Sequence, residues 1–375
     1  MDRRSLIATS GAVGLAGLLA ACGKKEEAAA PAAAPAAPAV ATGDTVRWRI
    51  ASSFPKALDT IYGGAEVFAK AVNAMSGGKF QISVHPGGEL VPPFGVVDAV
   101  QQGTVEAAHT CAYYHIGKDD TFAMGTAIPF GLNSRQLTSW MYHGNGLKLF
   151  REFYDQYSII NFPCGNTGAQ MGGWFRKEIK GVADINGLKM RLGGFAGKVL
   201  SRLGAVPQAI PGGEIYQALE RGTIDACEWV GPYDDEKLGF NKVAPFYYYP
   251  GWWEGGAQID LYINKDAYNK LSAENKAIVE AAAAMAHNDM QAKYDALNPQ
   301  ALKRLVASGT KVLPFPKSTM DAAFKAANEL YTELSDTNAN WKKIYSDYAE
   351  YRRDQNLWFR FTEGLFDNYM QNTRL

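Results

Sequence analysis

Residues 46–51 alternate apolar and charged side chains, Val46-Arg47-Trp48-Arg49-Ile50, which is the period of a strand with one buried face. Residues 61–75 change to helical spacing and stop at Gly77-Gly78, and residues 80–84 return to alternation. Strand, helix and strand at that spacing predict a βαβ unit in a parallel sheet. Farther along, residues 134–157 read as one helix, and residues 158–162, 188–192 and 258–263 as strands. From Lys265 the chain is mostly helical, with a helix start in Leu271-Ser272-Ala273-Glu274-Asn275 and a break at Pro314-Phe315-Pro316. Residues 341–370 carry Trp, Tyr and Phe at helical spacing, as a core or interface stripe would.

One pattern occurs twice. AVQQGTVEAA at residues 99–108 returns as ALERGTIDAC at residues 218–227, each a helix end, a glycine stop and a short apolar strand. Two such copies are too few for a solenoid. They imply two similarly built α/β lobes.

The N-terminus has a different composition. Arg3 and Arg4 precede a small-and-apolar stretch that ends in Leu19-Ala20-Ala21-Cys22. That is the layout of an export signal at residues 1–22, and its end resembles a bacterial lipobox, which implies cleavage before Cys22 and a lipidated Cys22 as the first mature residue. Residues 23–43, rich in Ala and Pro, lack the apolar surface to offset ordering entropy and read as a tether to the membrane surface. Residues 44–375 would then form the two-lobed body. Without Cys22 three cysteines remain, Cys111, Cys164 and Cys227; an odd number in apolar contexts points to small buried thiols and no disulfide framework.

Hydrophobic residues make up 47% of the 375-residue chain and charged residues 20%, as in a globular protein. Thirty-eight basic residues balance 38 acidic ones, so overall charge gives no reason to expect a nucleic-acid partner. The five histidines form no HExxH or Cys/His cluster, which argues against zinc. Residues 193–199, GGFAGKV, fall short of a phosphate loop in spacing and lack its Ser or Thr. There is no GxSxG elbow. The absence of a catalytic constellation favours binding over catalysis.

GLKMRLGG at 187–194, GGEIYQAL at 212–219 and GTIDACEW at 222–229 follow one another as they do in a known family. The succession closely resembles the solute-binding subunits of tripartite ATP-independent periplasmic (TRAP) transporters. FYYYPGWWE at 246–254 is similar to their 2-oxoacid-binding branch, and the resemblance runs from Val46 to the C-terminus. It implies an α/β fold of two lobes with the ligand cleft between them and a mostly helical C-terminal region. It also implies a lipid-anchored periplasmic receptor that takes up a small monocarboxylate, such as pyruvate or a 2-hydroxy acid, and delivers it to TRAP membrane subunits.

Independently of the resemblance, Arg191 ends an apolar strand, where a charge needs a partner, and its planar fork suits a carboxylate. In the family an arginine in this context holds the ligand carboxylate. The resemblance further places a cation on Gln170, Glu228 and the Trp229 backbone carbonyl, all oxygen donors, which suits sodium first and calcium second and disfavours zinc. Arg191 plus a monovalent cation balance Glu228 plus a monocarboxylate. Glu254 upsets that balance unless it is protonated or the ion is divalent. Tyr113 and Tyr114 follow the first copy of the repeat, so they are expected near the cleft, on the ligand or in the core. The C-terminal aromatic helix packs on the protein itself or on a second copy. Two alternatives remain: a periplasmic enzyme acting on small carboxylic acids, and the binding subunit of an ATP-driven importer.

Overall fold

The computed structural model describes residues 45–373. The expected signal, Cys22 and the tether at 23–43 lie outside the described residues. The strands are β1 (Val46–Ser52), β2 (Phe80–His85), β3 (Ala107–Thr110), β4 (Ile159–Asn166), β5 (Trp174–Phe175), β6 (Lys189–Arg191), β7 (Val206–Gln208), β8 (Ala226–Cys227), β9 (Phe246–Tyr249), β10 (Gln258–Asn264) and β11 (Lys311–Pro314). The helices are α1 (Gly63–Met75), α2 (Val96–Gln101), α3 (Ser134–His143), α4 (Gly146–Asp155), α5 (Ala196–Arg202), α6 (Ile215–Glu220), α7 (Pro232–Leu238), α8 (Lys265–Asn269), α9 (Ala273–Ala307), α10 (Lys317–Thr337), α11 (Ala339–Phe361) and α12 (Glu363–Asn372).

Two sheets form two lobes. The first has the order β2-β1-β3-β10-β4, with β1 parallel to β2 and β3 and with β10 antiparallel to both neighbours. The alternation read in β1 buries Trp48 and Ile50 and exposes Arg47 and Arg49. The second sheet has the order β11-β9-β5-β8-β6-β7. The twofold pattern appears once in each: α2, Gly103 and β3 belong to the first lobe, and α6, Gly222 and β8 to the second. Both glycines sit at positive φ, 68° and 71°, where the chain leaves the helix and turns into the strand. The segments 167–173 and 250–257 cross between the sheets, and α9, capped by Ser272, packs along β4, α1 and α7.

One expectation needs correction and two gain detail. Residues 134–157 are two helices, because Gly144 and Gly146 sit against the fully buried Trp140, where a Cβ would clash with its ring or backbone. Ahead of the Pro314-Phe315-Pro316 break lies β11, too short to show a period, at the sheet edge where Pro314 breaks no inner ladder. The C-terminal aromatics divide. Trp341 stacks with Phe195 and Tyr331 and is fully buried, whereas Leu357, Trp358, Phe361, Leu365, Phe366, Tyr369 and Met370 are all more than half exposed. The three cysteines are free and buried, and no described helix is long and apolar enough to cross a membrane.

Candidate functional site

The register of the second sheet builds the centre of the cleft. Arg191 ends β6 opposite Cys227 on β8, so Glu228 and Trp229 follow directly beside it. Arg191 and Glu228 are 2% and 1% exposed and form an ion pair. The guanidinium also donates from Nε to the Ile210 carbonyl at 3.0 Å and from a terminal nitrogen to the Glu228 carbonyl at 2.8 Å, and it lies 5.0 Å from the centre of the Trp229 ring. The Gly193 amide donates to the paired oxygen of Glu228 at 2.5 Å. Burial raises the Glu228 pKa against the pull of Arg191, and burial opposes the charge of Arg191, which Glu228 sustains. The other Glu228 oxygen, Oε2, has no hydrogen-bond partner among the described residues.

The first lobe contributes Tyr113 and Tyr114, in a short turn after β3. Tyr113 lies against Gly194, whose φ is 66° and whose missing Cβ leaves room for the ring. Any side chain at Gly194 would hold the lobes apart. The crossing segments contribute Gln170 and Glu254, bound to each other through the Gln170 amide and the Glu254 carbonyl at 3.2 Å. Both side chains are buried, at 5% and 2% exposed. Gln170 donates to the Thr167 hydroxyl at 3.1 Å, which turns its Oε1 away without a partner; Glu254 Oε2 also has none among the described residues. Burial raises the Glu254 pKa well above the carboxylate range and the neighbouring Glu228 charge adds to this; a hydrogen bond from Tyr113 and the Arg191 charge oppose it. Burial and the Glu228 charge thus both favour the neutral acid at Glu254.

Two spaces meet at Arg191, Tyr113 and Tyr114. An outer cleft of ≈ 260 Å³ is lined mainly by apolar groups, among them Phe94, Ile116, Leu192 and Pro207. An inner chamber of ≈ 10 Å³, with Gln170, Thr167 and Trp229 on its wall, has room for about one water or one ion. Buried acceptor oxygens on Gln170, Glu228 and Glu254 with no donor facing them are costly unless a cation or a hydrogen-bonding ligand meets them. The donor set fits a hard cation, since burial holds the nearby Cys111 thiol protonated.

Of the seven residues expected in the cleft, Arg191, Tyr113, Tyr114, Gln170 and Trp229 line these two spaces, and Glu228 and Glu254 stand behind them, Glu228 paired with Arg191 and Glu254 beside Gln170. Others were missed. Gly193 and Ile210 act through backbone groups, which residue type does not disclose, and Thr167 both walls the inner chamber and steers Gln170. Asp235, 1% exposed, accepts from the Val230 amide at 3.3 Å, Trp174 Nε1 at 2.9 Å and the Tyr247 hydroxyl at 2.7 Å, which ties the loop after Trp229 to the second sheet. Burial pushes its carboxyl up to about 7.

Comparison with known proteins gives a consistent result. The model of the DctP family, bacterial extracellular solute-binding protein family 7, matches residues 51–338. The chain is 49% identical over 329 residues to a monocarboxylate 2-oxoacid-binding periplasmic protein of Nostoc sp., covering 88% of this chain and 90% of that one. It superposes with a TM-score of 0.87 on a TRAP transporter solute-binding protein of Bordetella bronchiseptica, a dimer with copurified calcium and picolinate in one active site, at 53% identity over 88% of this chain and 98% of that one. A TRAP periplasmic solute-binding protein of Pseudoalteromonas atlantica with bound sodium and pyruvate gives 0.84, at 38% identity over 88% and 100%.

Proposed function

We propose that this chain, which belongs to the DctP family of bacterial extracellular solute-binding proteins, captures a small monocarboxylate 2-oxoacid such as pyruvate, together with a sodium or calcium ion, for a TRAP transporter. The observation that carries this reading is the fully buried Arg191 beside acceptor oxygens that no protein donor satisfies. In this reading the guanidinium takes the ligand carboxylate, and the inner and outer spaces on its two sides serve the ion and the body of the acid. Gln170, the Glu228 carboxylate and the Trp229 carbonyl would hold the ion, which supplies positive charge to the ligand oxygens. Neutral Glu254 donates to the keto or hydroxyl oxygen, and Tyr113 and Tyr114 close over the ligand from the first lobe. With Glu254 neutral, Arg191 and a monovalent ion balance Glu228 and the ligand. A family of solute-binding receptors speaks against the enzymatic alternative, and the TRAP proteins among the relatives speak against an ATP-driven importer.

A second copy of this chain is the proposed cover for the exposed C-terminal stripe. Its seven large apolar side chains would bury on the order of 800 Å² per chain, the size of a standard interface, and the Bordetella relative is a dimer. At the other end, residues 1–22 are proposed as a signal with lipidated Cys22, residues 23–43 as a periplasmic tether and residues 44–375 as the two-lobed body. Cys22→Ser should release the protein from the membrane fraction. Native mass spectrometry of protein purified without added ligand tests the main reading. A dimer carrying one small oxo- or hydroxyacid and one cation per chain is expected, and an acid-free protein that also ignores added pyruvate would overturn it.

A further inference from the structure

Behind the Trp229 wall the two lobes meet in a seam of polar groups. On the first lobe the seam is Asp59 and Thr60, in the loop between β1 and α1; on the second it is α7, with Tyr233 and Asp234 in its first turn and Lys237 in its last. Thr60 donates to Asp234 Oδ1 at 2.5 Å, and Tyr294 of α9 donates to Oδ2 at 2.7 Å. The Trp229 indole lies near this carboxylate, with its Nε1 unpartnered among the described residues. At the rim, Tyr233 donates to Asp59 at 3.1 Å and Lys237 forms an ion pair with it; Lys293 of α9 bonds the Asp59 carbonyl at 2.5 Å.

Thr60 is 1% exposed and Asp234 is fully buried. Among the described residues no basic side chain bonds Asp234 directly, and its two oxygens accept from neutral donors on two separate pieces of the molecule. One of these, Thr60, belongs to the opposite lobe. A hinge opening that separates Thr60 from α7 would remove that donor and admit water to Asp234. In the arrangement seen here Thr60 completes the donors to Asp234, and the same carboxylate lies near the tryptophan that walls the ligand chamber.

We propose that Asp234 and Thr60 form a closure latch, with Asp234 a positioning residue that ties the Trp229 wall of the ligand chamber to the closed arrangement of the lobes. The proposal rests on the 2-oxoacid reading for its ligand. It predicts that the latch slows ligand escape without touching the ligand. A good buried hydrogen bond to a charged group is strong enough to matter to a hinge equilibrium, and a ligand that binds only the closed form is held in proportion to how well that form is populated.

The test is stopped-flow release of pyruvate, read by tryptophan fluorescence, from wild type, Thr60→Val and the control Thr121→Val. Thr121 is an equally buried threonine of the first lobe that lies away from the seam. Thr60→Val should raise the release rate at least tenfold with an association rate within about threefold of wild type, while Thr121→Val leaves release unchanged. Release from Thr60→Val equal to wild type, or accelerated equally in both variants, would overturn the latch. Small-angle scattering of the ligand-free proteins separates the two readings. If wild type binds no pyruvate, the 2-oxoacid reading fails, and the latch then stands only if Thr60→Val alone increases the radius of gyration.

Discussion

Arg191 and Glu228 neutralise one another at the floor of the cleft, each no more than 2% exposed. A buried pair of this kind adds little net stability, because removing two ions from water costs about as much as their attraction returns. Its significance is that it can be rearranged. Arg191 is anchored by the Ile210 and Glu228 carbonyls, so its position does not depend on the carboxylate, and Glu228 keeps one oxygen free. Under the proposed reading, an incoming carboxylate finds a guanidinium already aimed and a counter-charge able to turn to a cation.

Arg191→Lys retains the charge and loses the planar fork, and a lysine ammonium cannot hold the Ile210 carbonyl, the Glu228 carbonyl and a ligand at once. Pyruvate affinity, measured by calorimetry, should fall more than tenfold, about 1.4 kcal/mol. An unchanged affinity would remove Arg191 from the ligand.

Burial and the adjacent Glu228 charge favour the neutral acid at Glu254, and under the proposed reading an amide of the same shape should serve nearly as well. Glu254→Gln is expected to bind pyruvate within about threefold of wild type and Glu254→Ala more than tenfold more weakly. If Glu254→Gln is as weak as Glu254→Ala, the side chain acts as a carboxylate, and the ion is then expected to be divalent.

Buried aspartates set the pH dependence of stability. Asp260, in the middle of the first sheet, accepts from Gln258 at 3.0 Å, and burial pushes its carboxyl up to about 8; Asp235 is pushed up to about 7. An unfolded aspartate titrates near about 3.9, so the fold holds protons that the unfolded chain has released. That stabilising contribution is complete below the unfolded value and lost as pH rises through the folded ones. His109 and His115, pushed down to about 3, and His287, pushed down to about 4, act oppositely, but only below their unfolded value of about 6.5. Thermal scans from about pH 6.5 to about pH 8 should therefore show a falling Tm, with a shallower slope for Asp260→Asn. A Tm that rises across this window would contradict the assignment.

What the sequence disclosed follows from period and punctuation. The alternation of β1 and β2, the helix–glycine–strand junctions at Gly103 and Gly222, and Ser272 at the start of α9 are local signals, and each sits where it was expected. The break within 134–157 was missed because Gly144 and Gly146 answer to Trp140, a packing demand that helical period does not carry. In the cleft, Arg191 was visible from its own chemistry at the end of an apolar strand and Glu228 through the family resemblance; groups that act through backbone, such as Gly193 and Ile210, were not visible. Asp234 and Thr60 lie 174 positions apart, and nothing in either neighbourhood announces the other.

The central claim is that acid and cation share one site, and reciprocal binding tests it most directly. Linkage requires the ion to raise pyruvate affinity by the factor by which pyruvate raises ion affinity. Calorimetric titration with pyruvate in choline buffer after chelation, and again with sodium or calcium restored, should show affinity rising at least tenfold with one of the ions. In Glu228→Gln that gain should shrink, because the carboxylate that offsets the ion is gone. Equal pyruvate affinity in all three buffers would contradict the shared site and leave Glu228 as the partner of Arg191 alone.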